Sequence, residues 1–335
     1  MKTATKRPQT LREIELEVEG EGREWTRQRL QQRLPAEAGQ HGEVPPLSGQ
    51  RLVHRCSRVM RLHTVAGVIQ LEVLHGQDPG DKHWGCPVRE HWGLTCHQPL
   101  SLALEDKLAF PVTATSTYEE AAAVAQKWGV TVDDSSLHAL TQRLGERAEA
   151  RTVEQLKTAP KERQPQRAAT KLAVLMLDGW QVRHRGPGWG KKKTKENRVE
   201  WDEWKTGIAY ALEQSGVTAG GRGVITEKVV VGWQGDPVEF GRRLNWEALR
   251  GGLGHAQAKL VAGDGAPWIW NLVQDRWAGA TEVLDFSGPV ESTCRQRQCR
   301  FKRSGQFWTS KGMRNLGALT EARQNHHWDE LWITS

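Results

Sequence analysis

The spacing of apolar and polar residues changes period along this chain, and each change predicts a different element. Residues 11–34 (LREIELEVEGEGREWTRQRLQQRL) carry a thin apolar face amid balanced charge. That predicts a surface helix or arm ending at Pro35, ahead of a Gly- and Pro-containing connector. Residues 52–75 alternate apolar and polar around a turn at Gly67 and predict a hairpin. STYEEAAAVAQKWG predicts a helix with a Ser/Thr cap and glutamates in its first turn, broken at Gly129. After Val130, Thr131 and Val132, the caps Asp133, Asp134 and Ser135 open a second helix, SLHALTQRLGERAEA, with Leu137, Leu140 and Leu144 on one stripe.

Helix, Gly-containing turn and capped helix is the layout of a helix-turn-helix, whose second helix enters a DNA major groove. His138, Gln142, Arg143 and Arg147 would then be the exposed contacts; an ordinary helical hairpin is the competing reading. Residues 151–170 are polar, contain two prolines and predict a linker at the main domain boundary. Beyond it, LAVLMLDGW (172–180) runs six apolar residues together, the mark of a strand buried on both faces and ending at Asp178-Gly179. VEWDEWKTGIAYALEQ and EKVVVGW supply further strands, PVEFGRRLNWEALRGG an amphipathic helix, KLVAGDG a short strand, and ATEVLDF (280–286) another. Pro267 suits the first turn of the helix between those last two strands. This is the ribonuclease H-like order: an α/β fold with a mixed sheet flanked by helices, preceded by a β-hairpin region and a helix-turn-helix-like region. The expected domains are an arm (1–50), a small β region (51–100), a DNA-binding helical region (101–150), the linker (151–170) and a catalytic domain (171–335).

Two core strands that each end in aspartate carry the chemistry. The carboxyl end of a strand is where open α/β sheets keep their sites. If the strands are adjacent, Asp178 and Asp264 meet, and two close carboxylates repel unless divalent cations neutralise them. Paired hard cations are the standard device for in-line phosphodiester chemistry. A third acid is expected on the final helix, where Glu291, Arg295, Gln298 and Lys302 share a face and Val290, Cys294 and Phe301 face the core. The opposing readings are turn-capping aspartates and a solvated basic helix.

Composition sharpens this picture. The chain has 335 residues with 37% hydrophobic and 26% charged, and its mean hydropathy is -0.64. No apolar run has the length of a membrane helix, and the first thirty residues lack a signal-peptide core, so a cytoplasmic protein without membrane contact is expected. Of the net charge of +7, the last 44 residues hold eight basic against three acidic groups, which points to a polyanion near the C-terminus. Lys191, Lys192 and Lys193, beside Trp180 and Trp189, form a second basic patch able to brace DNA by charge and stacking. Arg295, Lys302 and Arg303 extend the basic surface of the last helices. Most of the sixteen tryptophans are assigned to core and turn packing. The five cysteines are odd in number and scattered, which argues against a disulfide framework. Cys86, Cys96, His83, His91 and His97 lack the paired spacing of a zinc site and read as packed or solvated residues.

LMLDGWQVRHRGPGWG, VEWDEWKTG, GDGAPWIWNLVQDRWAGATEVLDF, VESTCRQRQCRFKRSGQFWTSKG and the ending NHHWDELW resemble the ISKra-four family of bacterial insertion-sequence transposases. The resemblance runs over nearly the whole chain and is most specific from Asp178 to Trp332. It implies a ribonuclease H-like domain with an Asp-Asp-Glu site for Mg²⁺ or Mn²⁺, falling on Asp178, Asp264 and Glu291. It further implies DNA as partner, both as the element's terminal inverted repeats and as target, with the N-terminal part recognising the ends and copies assembling on DNA. Here the chain departs from the family: members continue after LDF with a Tyr-His-Ala run and a long helical insertion, whereas Phe286 is followed at once by Ser287-Gly288-Pro289-Val290-Glu291. The expectation is an internally deleted copy that folds and whose strand-transfer activity depends on whether the insertion is needed. Two rivals stand beside it, a ribonuclease H-like nuclease and a non-catalytic DNA-binding remnant.

Overall fold

The chain folds as two units, one built from Met1–Phe110 and Ala123–Val132, the other from Pro111–Ala122 and Asp133–Ile333. The computed structural model describes residues 9–46, 49–94, 99–158, 170–190, 198–221, 223–284, 289–302 and 308–333.

In the first unit, α1 (Leu11–Gln40) starts from a capping box: the Glu13 amide donates to the Thr10 hydroxyl, and the Thr10 amide donates to the Glu13 carboxylate. The helix does not stop at Pro35. Leu30, Leu34 and Ala38, at helical spacing, pack on a hairpin, and that burial offsets the amide hydrogen lost at proline. The hairpin is β1 (Val53–Thr64) against β2 (Gly67–Gln77), antiparallel, with a bulge between Val53 and Cys56. Its buried face, Met60, Leu62, Ile69, Leu71 and Val73, recurs at every second residue within each strand, as the alternation predicts. The short β3 (Trp84–Gly85) adds to β2 and leads into α2 (Pro87–His91). Two helices pass between the units: α3 (Leu102–Ala114) lies in the first through Phe110, and α4 (Tyr118–Lys127) lies in it from Ala123.

In the second unit, α5 (Asp134–Thr158) continues eight residues into the predicted linker. That stretch has no apolar period; Arg151 and Gln155 instead bond the C-terminal turn at Glu330, so polar contacts extend the helix. The sheet holds β4 (Leu172–Arg185), β5 (Val199–Ala211), β8 (Val229–Gln234), β9 (Ala258–Gly263) and β10 (Thr281–Leu284) in the order β10-β9-β4-β5-β8. Only β5 runs against its neighbours; β9 and β10 are parallel to β4. A small ribbon, β6 (Ser215–Val217) with β7 (Gly223–Ile225), lies between β5 and β8 in sequence. Strand β4 also outruns its predicted end. It stays paired with β5 from Ala173↔Ala211 to Arg185↔Val199, and the missing side chain of Gly179 leaves space that the Glu203 carboxylate fills.

One sheet face buries Leu175, Leu177, Ala209, Val231 and Val261 against α6 (Pro237–Arg250) and α7 (Pro267–Arg276) through Phe240, Leu244, Ile269 and Leu272. The other face meets α8 (Pro289–Phe301) and α9 (Ser310–Gln324) through an aromatic cluster of Trp180, Trp204, Phe301 and Trp308. The architecture is mixed α/β, a mixed five-stranded sheet flanked by helices. Among the described residues no helix is long and apolar enough to cross a membrane.

Candidate active site

The register of β4 and β9 brings the two aspartates together along the backbone. The parallel pairing ends at Leu177↔Gly263, so Asp178 and Asp264 are the next residues on two neighbouring chains, which run about 4.8 Å apart in a sheet. Asp178 is half-buried within β4 and paired across β5 with Thr206. Asp264 is exposed just past its strand, and its Oδ1 accepts the Ala266 amide at 3.1 Å. Gly265, at φ 91°, makes the reversal that a side chain would strain, and Pro267 opens α7 two residues on.

Helix α8 reaches this point through Cys294. The thiol of Cys294 hydrogen-bonds the Asp178 carboxylate and the Thr206 side chain, while the Trp180 indole donates to Thr206 Oγ1 at 3.0 Å. Read from donor to acceptor, the chain of contacts runs from Trp180 Nε1 through the Thr206 hydroxyl and the Cys294 thiol to Asp178. Burial first, and then the Asp178 charge, push the thiol far above its ordinary range, so it stays protonated and acts as a donor. Glu291 stands three residues ahead of Cys294 in the same helix; its side chain lies outside the described residues.

Asp178 and Asp264 are oxygen donors, the type that holds magnesium or manganese. Two carboxylates alone make an incomplete ligand set. Among the described residues, no group of three or more His, Cys, Asp or Glu is placed to hold a metal. The oxygen donors present suit a hard cation; the expected third acid, Glu291, has its side chain outside the described residues.

The predicted DNA contacts fall into three groups. Lys191, Lys192, Lys193 and Arg303 lie outside the described residues. Arg295 and Lys302 are exposed on or beside α8, and the Lys302 ammonium sits 5.3 Å from the Trp180 ring. Of the four expected contacts on α5, His138 is the one that is exposed, its ring edge-on to Tyr118 at 5.5 Å. Arg143 is half-buried. Gln142 accepts the Asn315 amide at 2.9 Å, and Arg147 donates to the Leu331 carbonyl. The reason is that α5 buries Leu137, Leu140, Leu144 and Ala148, and the residues flanking that stripe are drawn into contacts with α9 and the C-terminal turn. Of the cysteine–histidine stretch, Cys86 is buried with its thiol raised by burial, His83 and His91 are exposed, and Cys96 and His97 lie outside the described residues.

Sequence reasoning placed Cys294 on the core side of its helix but missed its contact with Asp178, and it missed Thr206 entirely. Only the cross-strand register, which no local pattern encodes, puts Thr206 opposite Asp178. The chain matches no protein-family model and no curated protein sequence.

Proposed function

We propose that this chain is a DNA transposase of the Asp-Asp-Glu type, similar to the ISKra-four family, in a shortened form. The observation that carries the reading is the convergence on Asp178. Asp264 leaves the adjacent parallel strand at the same level, and α8, which bears Glu291, is anchored to Asp178 through Cys294. The strand order supports a ribonuclease H-like assignment as well. Numbered from β4, the five strands lie third, second, first, fourth, fifth, with the second alone antiparallel.

In this reading water, and then a freed 3′-hydroxyl, attacks phosphodiesters at the element's ends and in target DNA. Magnesium or manganese held by Asp178, Asp264 and Glu291 would supply nucleophile activation and neutralise charge on the leaving oxygen. The protein's own contribution is placement. Cys294, itself held by Thr206, fixes the Asp178 side chain, and the exposed Arg295 and Lys302 give phosphates a positive approach. The residues between β10 and α8 number only four, and this short connection does not keep α8 from reaching Asp178. Pairing two DNA ends would require more than one copy, and a cytoplasmic location suits such work.

The test is a strand-cleavage and strand-transfer assay on DNA carrying the element's ends, with Mg²⁺ or Mn²⁺. Asp178→Asn and Asp264→Asn should each abolish product while DNA binding persists or tightens. Cleavage without joining would instead identify a nuclease. Binding with no metal-dependent product from the unsubstituted chain would leave a DNA-binding remnant, and restoring an insertion after Phe286 would then be the decisive second arm.

A further inference from the structure

Helix α1 carries an apolar face that its own unit does not cover. Leu11, Ile14, Val18, Gly22 and Trp25 recur at spacings of three, four, four and three, which sets them on one stripe along the helix. Leu11 is 71% exposed, Ile14 44%, Val18 60% and Trp25 65%. Leu30, Leu34 and Ala38, which hold α1 on the hairpin, lie about 160° away around the axis at about 100° per residue, so the stripe faces away from the hairpin. Gly20 and Gly22 have nothing within 4 Å of where a side chain would begin. A glycine inside an exposed helix costs about 1 kcal/mol relative to alanine, a cost that close approach of a second backbone offsets.

Charge selects what approaches. Residues 11–22 hold five glutamates against one arginine, and residues 23–34 hold four arginines against one glutamate. The helix macrodipole already favours acids early and bases late. It gives no reason for five large apolar side chains in water, four of them on this stripe and Leu16, 50% exposed, off it.

We propose that α1 is a self-association surface whose occupant is a second copy of this chain, crossing antiparallel near Gly22. A two-fold axis there pairs the acidic half of each helix with the basic half of the other, with Glu15 facing Arg29 of the second copy. Trp25 of each copy packs on Val18 of the other, and Gly22 meets Gly22 where the backbones come closest. Parallel pairing would set the five glutamates of one helix beside the same five of its mate, which charge opposes. The interface needs neither DNA nor the Asp178 site, so its failure and the failure of the transposase reading are separate outcomes.

The experiment is sedimentation equilibrium of the full chain without DNA, at about 50 µM, above the micromolar Kd expected for a small interface. The expected mass is twice the 37.7 kDa of the chain. Trp25→Glu and Val18→Glu, at exposed positions, should weaken dimerisation at least ten-fold with unchanged circular dichroism. Orientation is read by oxidative cross-linking. Gly22→Cys should link copy to copy above the background of the unsubstituted chain, and Leu11→Cys should not, since antiparallel crossing at Gly22 holds the two residues 11 about 33 Å apart. A monomer at this concentration, a dimer indifferent to Trp25→Glu, or equal cross-linking through both cysteines would each overturn the proposal.

Discussion

The buried thiol of Cys294 donates to the carboxylate of Asp178, tying the helix that carries Glu291 to the central strand of the sheet. Because burial and the neighbouring charge hold that thiol protonated, it has almost no thiolate to react. Cys299, in the same helix, is exposed. Alkylation of the folded protein at pH 8.5 should modify Cys299 at least about 100-fold faster than Cys294. Peptide mass spectrometry after timed quenching measures both. Equal rates would mean that α8 does not seal against Asp178.

A second titrating group lies beneath the same helix. Glu321 accepts the Gly232 amide at 2.8 Å and pairs with Arg297 at 3.2 Å, yet burial outweighs both and pushes its carboxyl up to about 7 from an ordinary 4.5. The fold therefore keeps a proton that the unfolded chain releases between those values. The stabilisation from this proton is complete below about pH 4.5 and lost above pH 7, and amounts to about 3 kcal/mol. Glu321→Gln, which keeps an oxygen for Gly232, should reduce the stability difference between pH 5 and pH 8 by about 2–3 kcal/mol in urea denaturation. An unchanged pH profile would show that Glu321 is ionised throughout.

What the sequence made legible follows from the range of the interactions involved. The six-residue apolar run of β4, the Pro267 helix start and the Asp133 cap are local signals, and the elements they predict are present. Boundaries failed where distant partners decide them. α1 passes Pro35 because Leu34 and Ala38 find the hairpin, and β4 passes Gly179 because β5 continues beside it. In the candidate site, Asp264 could be chosen from the sequence because it follows a recognisable strand end; Asp178 reads as a strand end too, yet it lies within β4, at the level where the pairing with β9 stops. The Trp180–Thr206–Cys294 chain could not be chosen so, since it joins residues on three elements across more than a hundred positions. The solvent-facing set expected on α5 shrank to His138 for the same reason: nothing near Gln142 in sequence announces Asn315.

The α5–α9 contact gives a prediction in which two effects oppose each other. Gly145 lies inside α5, where alanine would ordinarily add about 1 kcal/mol of helix stability. Its α-carbon faces the α9 backbone so closely that a side chain would begin 2.2 Å from the Asn315 carbonyl oxygen. Backbone cannot rotate aside as a side chain can, so the steric term wins. Gly145→Ala should cost about 2–4 kcal/mol net, measured as a lowered urea midpoint with the slope unchanged. A stabilised variant would show that α9 does not pack on α5 as described.

Strand β8 would expose unpaired amides on its outer side, an invitation to a foreign strand. Asn325, just past α9, supplies both halves of a strand's pairing from one side chain. The Val230 amide donates to its Oδ1 at 2.8 Å, and its Nδ2 donates to the Val230 carbonyl at 2.9 Å. Both groups are buried, so removing the amide leaves a donor and an acceptor without water to replace it, at about 2–4 kcal/mol for Asn325→Ala. Asn325→Asp keeps the acceptor but turns the donor into a second oxygen facing the Val230 carbonyl, and should be at least as harmful as alanine above pH 6. Both variants should also aggregate more readily, since the exposed edge of β8 becomes a template; light scattering during refolding reads this directly. If Asn325→Asp were as stable as the unsubstituted chain, the Val230 amide and carbonyl would have to be satisfied by something other than this side chain.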